Sequence, residues 1–358
     1  MKAGQEPARF QAAATAVAVR NVSVFDEREK LIAVLERHFP ELGVRSHLTW
    51  RHDDNPAGPG RAWILYDCKS GETVGTTLMF PRPMYLDGKL VMCGQVSQFA
   101  IDKAYRSLGP ALMLQRATFE PVDSGRLVMC YDCPIQEEGM STFRRLGMSP
   151  CCELTRYAFL IGGDEIVRKR LGDSLWTKPL VAGANLLLEM RRRKEGDRGL
   201  EITTLNGSFG EEFTNLDKIV SSSGIFRASR SAEVLNWRYR GRRPDGKVEV
   251  LVARERGEVL GFLAFMANPQ RRASILDLFG RELEKVGPAL LVAAIQTCRN
   301  KKLLCLEGHC SAASELRPLF ERVGFRAREV TARVVPYAKA DLLRSVTSWP
   351  MGQADLLA

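Results

Sequence analysis

With 358 residues, 45% of them hydrophobic and 26% charged, the chain is long enough for two ordinary domains with real cores. No window approaches the roughly 20 apolar residues of a membrane span. The opening MKAGQEPARFQAAATAVAVR lacks the apolar stretch of a secretory signal, and nine cysteines, an odd count, point to reduced thiols in a cytoplasmic setting.

In chain order, the pattern predicts a strand over 16–24, an amphipathic helix over 27–38, and a hairpin of two apolar strands around Ser70-Gly71. A third strand over 90–101 leads through Gly109-Pro110-Ala111-Leu112 into a helix over 110–120. Pro110 then takes the first helical position, where its missing N–H costs nothing. A buried strand over 127–131, a helix ending at Gly147 and a closing strand pair over 149–161 complete the first half. The segment after Gly162-Gly163 holds an apolar stretch over 175–190 and the basic run Arg191-Arg192-Arg193-Lys194. It reads as a linker helix packed on the protein, or as a peripheral membrane contact through 175–194. The second half repeats the order: strand 200–205, helix 211–221, a hairpin around Arg256-Gly257, strand 274–279 and helix 288–298 with Pro288 first. Strand 302–306, a helix ending at Gly324 and a strand pair over 326–336 close it.

Four anchors tie the halves together. Trp50-Arg51-His52 matches Trp237-Arg238-Tyr239, Gly75 matches Gly261, Gly109-Pro110-Ala111-Leu112 matches Gly287-Pro288-Ala289-Leu290, and Phe143 to Gly147 matches Phe320 to Gly324. Their offsets of 187, 186, 178 and 177 residues keep the order with little drift, which marks an internal duplication. The expected fold class is α/β: two tandem domains, each a central mixed sheet flanked by helices. Their bounds are 1–162 and 200–342, with a basic linker over 163–199 and a tail over 343–358.

The segment from Ala100 to Leu112 carries the most chemistry. A strand ends at Ile101, a tight turn follows, and a helix begins; N–H groups at such a helix start have no internal partner and suit a diphosphate. Arg106 adds positive charge, Gly109 lets the backbone approach a ligand, Ala111 keeps the wall low, and Ser107, Leu108 and Pro110 complete the expected site. The net charge of +10 agrees with an anionic partner such as a phosphate-rich cofactor, an acidic carrier protein, an anionic membrane or nucleic acid. In the second half Glu284 stands where Arg106 does, and the hairpin-to-helix segment is eight residues shorter (26 against 34), so the first half is the expected cofactor site.

The spacing Arg106-x-x-Gly109-x-Ala111 after a strand resembles the acetyl-CoA-binding motif of the GNAT (Gcn5-related N-acetyltransferase) superfamily, and Phe143 to Met148 resembles the segment that closes that domain. The Trp50…Asn55-Pro56 and Trp237-Arg238-Tyr239 patterns resemble tandem members among bacterial polysaccharide-linked acyltransferases. The resemblance implies an acyltransferase that takes an acetyl or longer acyl group from acyl-CoA, or from an acyl carrier protein, to a small amine such as an amino sugar. It implies donor contacts at Gln98, Phe99, Ala100 and Ile101, whose strand N–H groups polarise the thioester, and at Arg106 to Ala111.

Two departures stand out. The strand position that often carries a Glu base reads Cys93-Gly94-Gln95-Val96-Ser97-Gln98-Phe99, and Phe143 occupies the place of a Tyr acid. Tyr131 and Asp132, at the end of the next strand, are the remaining candidates for acid and base. Cys130-x-x-Cys133 with Cys151-Cys152 lacks the spacing of a metal site, so no metal is expected. No nucleic-acid-binding signature is present. The rival readings are an aminoacyl-tRNA-dependent transferase resembling FemABX enzymes, and a CoA-binding scaffold without turnover.

Overall fold

The apolar runs form thirteen strands in one mixed sheet with helices on both faces, in a computed structural model that describes residues 17–135, 137–161, 199–222, 226–342, 349, 351, 352 and 355. The predicted linker helix, its basic run and most of the tail lie outside these residues. The first half supplies β1 (Val17–Ser23), β2 (Arg61–Asp67), β3 (Thr73–Leu86), β4 (Lys89–Ile101), β5 (Met129–Asp132) and β6 (Cys152–Leu160). The second supplies β7 (Glu201–Thr204), β8 (Arg227–Ala228), β9 (Val248–Glu255), β10 (Glu258–Ala267), β11 (Arg272–Gly280), β12 (Cys305–Ser311) and β13 (Arg326–Ala338).

The strand order is β1-β2-β3-β4-β5-β13-β6-β12-β11-β10-β9-β7, with β8 beside β3. With matching strands of the two halves equated, the path reads the same from either end. This order corrects the expectation that each half closes its own sheet. β6 pairs with β12 from Leu154 to Leu160, and the far end of β13, Val335–Ala338, pairs with β5. Packing explains the exchange. Tyr337 of β13 stacks on Phe119 at 4.0 Å, and Val335 joins Met140 and Phe143 in one cluster. In return, Tyr157 and Phe159 of β6 lie 5.6 Å from Phe320 and Phe325 respectively. Each core is finished by aromatic rings from the other half.

Helix α1 (Arg28–His38) buries Leu31, Ile32, Val34 and Leu35 against Ile64, Leu78 and Ala100 on one face of the first sheet half. Each such side chain contributes roughly 1.5–3 kcal/mol. Helix α2 (Val44–Leu48) leads into a π-helical turn, Thr49–Asp53. Helix α3 (Leu108–Ala117) lies on the opposite face, with Leu114 among Trp63, Leu65, Val96 and Ile101. Helices α4 (Glu120–Asp123) and α5 (Glu137–Arg145) follow, then α6 (Glu211–Ser221), α7 (Ala232–Tyr239), α8 (Leu283–Asn300) and α9 (Leu316–Val323) in the second half. Gly147 and Gly324, at φ 72° and 107°, end α5 and α9 in the left-handed region as expected.

The two anchor tryptophans meet where the halves join. Trp50 and Trp237 stack at 5.5 Å, and each indole N–H donates to the other's carbonyl, at 3.1 and 2.7 Å. Seven of the eight extra residues fall in the hairpin, which spans 26 positions from Gly75 to its partner Ile101 against 19 from Gly261 to Gly280, and one falls in the turn. The extra length carries Met84 and Tyr85 out to pair with Ala228 and Arg227 of the other half.

Candidate functional site

β4 and β5 run parallel for three residue pairs, Cys93 to Gln95 against Met129 to Tyr131, and then part. From Val96 to Ile101, β4 keeps β3 on one side and has no strand among the described residues on the other. A bulge marks the parting: Leu78 pairs with Ser97 and Thr76 with Ala100, so Gln98 and Phe99 both face Thr77. Gln98 takes φ +55°, uncommon for a residue with a side chain. Both amide atoms of Gln98, and the hydroxyl of Ser97, are buried without a partner among the described residues. Buried polar atoms are nearly always paired, so these three stand out within β4.

The following turn is the expected phosphate cradle. Ser107 is extended at φ −133°, ψ 167°, and α3 starts at Leu108. Pro110 is thus the third helical residue, not the first; its missing N–H still falls in the first turn, where no intrahelical acceptor exists. The first helical bond is Ala111 N–H to Ser107 carbonyl, at 3.3 Å. The N–H groups of Leu108 and Gly109 have no partner among the described residues. Arg106 is exposed; its Nε donates to the Ile101 carbonyl at 2.9 Å and its Nη2 lies 3.2 Å from His38 Nδ1.

The second half shows how the same residues lose this geometry. α8 runs unbroken from Leu283 to Asn300, so Gly287-Pro288 lies inside the helix, and the expectation of a helix starting at Pro288 is corrected. The helix starts early because Glu282, at φ +49°, turns the chain straight out of β11. Pro288 leaves the Glu284 carbonyl without its i+4 donor, and Arg322 Nη1 reaches that oxygen at 3.5 Å. Gly287 serves packing instead: a Cβ there would stand 2.8 Å from Leu319 Cδ1.

The second parting of strands is occupied. β11 pairs with β12 only from Arg272 to Ser274, while β6 covers the opposite edge of β12. Gly352 bridges to Cys310, and Ser311 N–H donates to the Met351 carbonyl at 2.9 Å, so the C-terminal segment takes the edge that β11 leaves. Asp277 stands three residues before Gly280, the partner of Gly261, as Gln98 stands three before Ile101, the partner of Gly75. Unlike Gln98 it is fully engaged, by Arg230 Nε at 3.1 Å and the Tyr239 hydroxyl at 3.3 Å.

The two predicted acid–base residues sit side by side at the end of β5 in different surroundings. Burial pushes the Asp132 carboxyl up to about 7, opposed by the Cys133 N–H 2.6 Å from Oδ1. Tyr131 is buried, its ring edge-on to Trp349, and its O–H donates to the Asp355 carbonyl at 2.8 Å. Burial raises its pKa further. Sequence reasoning missed His38, Asp102 and the strain at Gln98. A His in the last turn of an amphipathic helix and an Asp just after a strand each look like ordinary surface residues. An open hollow of about 430 Å³, lined by Val19, Asn21, Trp63, Ala117, Glu120 and Arg126, lies beyond the far end of α3 from the cradle.

The chain as a whole superposes on several solved structures. A probable N-acyltransferase of unknown function from Enterococcus faecalis V583 superposes with TM-score 0.60 at 9% identity, over 90% of this chain and 72% of that one. A GCN5-related N-acetyltransferase from Kribbella flavida gives 0.58 at 14%, over 90% and 71%. N-myristoyltransferase of Saccharomyces cerevisiae, with bound myristoyl-CoA, gives 0.56 at 11%, over 90% and 79%. The fold is that of the GCN5-related N-acetyltransferases. No family model and no curated protein matches the sequence.

Proposed function

We propose that the chain transfers an acyl group from a coenzyme A thioester to an amine, with the donor held in the first half. The observation that carries this reading is the contrast between the halves. In the first, the Leu108 and Gly109 N–H groups stand unpaired beside Arg106, where β4 has left β5; in the second, an unbroken helix and the C-terminal segment remove both features. The helix start receives the diphosphate, and the open edge of β4 takes the pantetheine arm, bringing the thioester to the bulge at Gln98. Backbone N–H groups there polarise the carbonyl.

Asp132, near 7, takes the proton of the ammonium acceptor. The amine then attacks the carbonyl carbon, the C–S bond breaks, the protonated carboxyl returns its proton to the leaving thiolate, and the new amide nitrogen sheds its remaining extra proton to water. Tyr131 has no part in this scheme, because its buried hydroxyl is engaged by the Asp355 carbonyl and by Gln95 Oε1. Superposition on N-myristoyltransferase supports testing long acyl chains beside acetyl, and the acceptor proposed for screening is an amino sugar or other small amine.

Calorimetry with coenzyme A tests the assignment. Wild type is expected to bind one molecule per chain at micromolar affinity, and Arg106→Glu, which copies Glu284, about tenfold or more weakly. Absence of binding to wild type refutes the reading.

A further inference from the structure

We propose that His38 is a positioning residue for the donor diphosphate: with Asp102 it fixes the Arg106 guanidinium beside the open helix start. This rests on the donor site assigned above. A guanidinium only donates, so His38 Nδ1, 3.2 Å from Arg106 Nη2, must be the ring nitrogen that bears the lone pair. The ring proton then sits on Nε2, which faces Asp102 Oδ1 at 2.8 Å. Asp102 is held in turn by Arg37, whose Nη2 donates to Oδ2 at 2.7 Å and whose Nε donates to Oδ1 at 3.3 Å. Burial alone would raise the Asp102 carboxyl, but the bonds from Arg37 and His38 hold it below its ordinary value. Arg37 also donates to the carbonyls of Ala33 and Thr73. The chain Arg37–Asp102–His38–Arg106 therefore ties the end of α1 and the start of β3 to the turn.

The described residues of the second half hold nothing equivalent. Arg281 follows Gly280 where Asp102 follows Ile101, and Glu284 replaces Arg106. In the first half the Nε and one Nη2 proton of Arg106 are used to orient the fork, and Nη1 bonds to none of the described residues. An exposed arginine otherwise loses rotamer freedom when it grips a phosphate; holding it in advance removes that cost.

The experiment measures coenzyme A and dephospho-coenzyme A binding to wild type, His38→Ala, His38→Gln, Arg106→Ala and the His38→Ala/Arg106→Ala double variant. His38→Ala is expected to weaken both ligands about 3- to 10-fold and equally, because they share the diphosphate. His38→Gln, which keeps an acceptor and a donor, restores most of the loss, and His38→Ala adds nothing once Arg106 is gone. Unchanged or tighter binding by His38→Ala, a loss confined to coenzyme A, or additive effects would each overturn the proposal. Imidazole ¹⁵N shifts separate its failure from that of the donor site. Whether or not coenzyme A binds, His38 should be the Nε2–H tautomer in wild type, and in Arg106→Ala the Nδ1 shift should change as it loses the guanidinium while Asp102 keeps the proton on Nε2; a Nδ1–H ring in wild type sinks the relay alone.

Discussion

A carboxyl raised to about 7 makes Asp132 a base that is half ionised at neutral pH, and two measurable consequences follow from that one group. Thiol release from acetyl-CoA, with any amine that turns over, should rise with pH and level off above about 7, as Asp132 loses its proton. Asp132→Asn should lower turnover by about 10²–10⁴-fold and remove that inflection. The stability effect has the opposite sign. The folded state holds the Asp132 proton more tightly than the unfolded chain, so its contribution declines from about pH 4 and is fully lost above about 7. Asp132→Asn should therefore be more stable than wild type at about pH 8 and similar to it near pH 4, by urea melts. An unchanged pH profile in the variant would remove Asp132 from the mechanism. At this scale the sequence was partly legible. Arg106, Gly109 and Ala111 are marked by their spacing on a strand–turn–helix segment, whereas Gln98 is marked only by a bulge that arises from pairing with β3.

Helices and strands were legible where local pattern decides them and illegible where the same letters serve two geometries. Gly-Pro-Ala-Leu occurs twice. In α3 the proline sits in the first turn and the helix start stays open; in α8 it sits inside the helix because the chain turns at Glu282 and Arg322 caps the orphaned carbonyl. Neither Glu282 nor Arg322 belongs to the repeated tetrapeptide, so the motif alone could not distinguish the two. The Trp50 and Trp237 anchors are the converse case, since a repeat seen in sequence turned out to be a physical pair. Trp237→Ala should cost about 3–5 kcal/mol in urea unfolding, through the lost stack on Trp50 and packing on Val234 and Phe80. Trp237→Phe keeps most of the ring area and loses the bond to the Trp50 carbonyl, so about 1 kcal/mol is expected. A Trp237→Ala cost below about 1 kcal/mol would show that the junction contributes little.

At the scale of the molecule, the two halves form one sheet because each lends its last strand to the other. Linear order showed that the strands exist but not which edge they take, since a strand long enough to close its own half can also cross to the other. The exchange makes the halves interdependent. Without β13, the β5 edge is unpaired, Phe119 loses the Tyr337 ring, and Asp123 loses the hydroxyl that donates to it at 2.7 Å. Without β6, β12 loses a seven-residue ladder, and Glu307, which is buried, loses Arg156. An unpaired edge and an open aromatic core both favour aggregation. Residues 1–162 and 163–358 produced separately should therefore be insoluble or molten. Co-expressed, they should form a stable complex that melts in a single transition, as should the intact chain. Two soluble fragments, each melting cooperatively alone, would mean that the strands can fold back onto their own halves and that the exchange does not hold the molecule together.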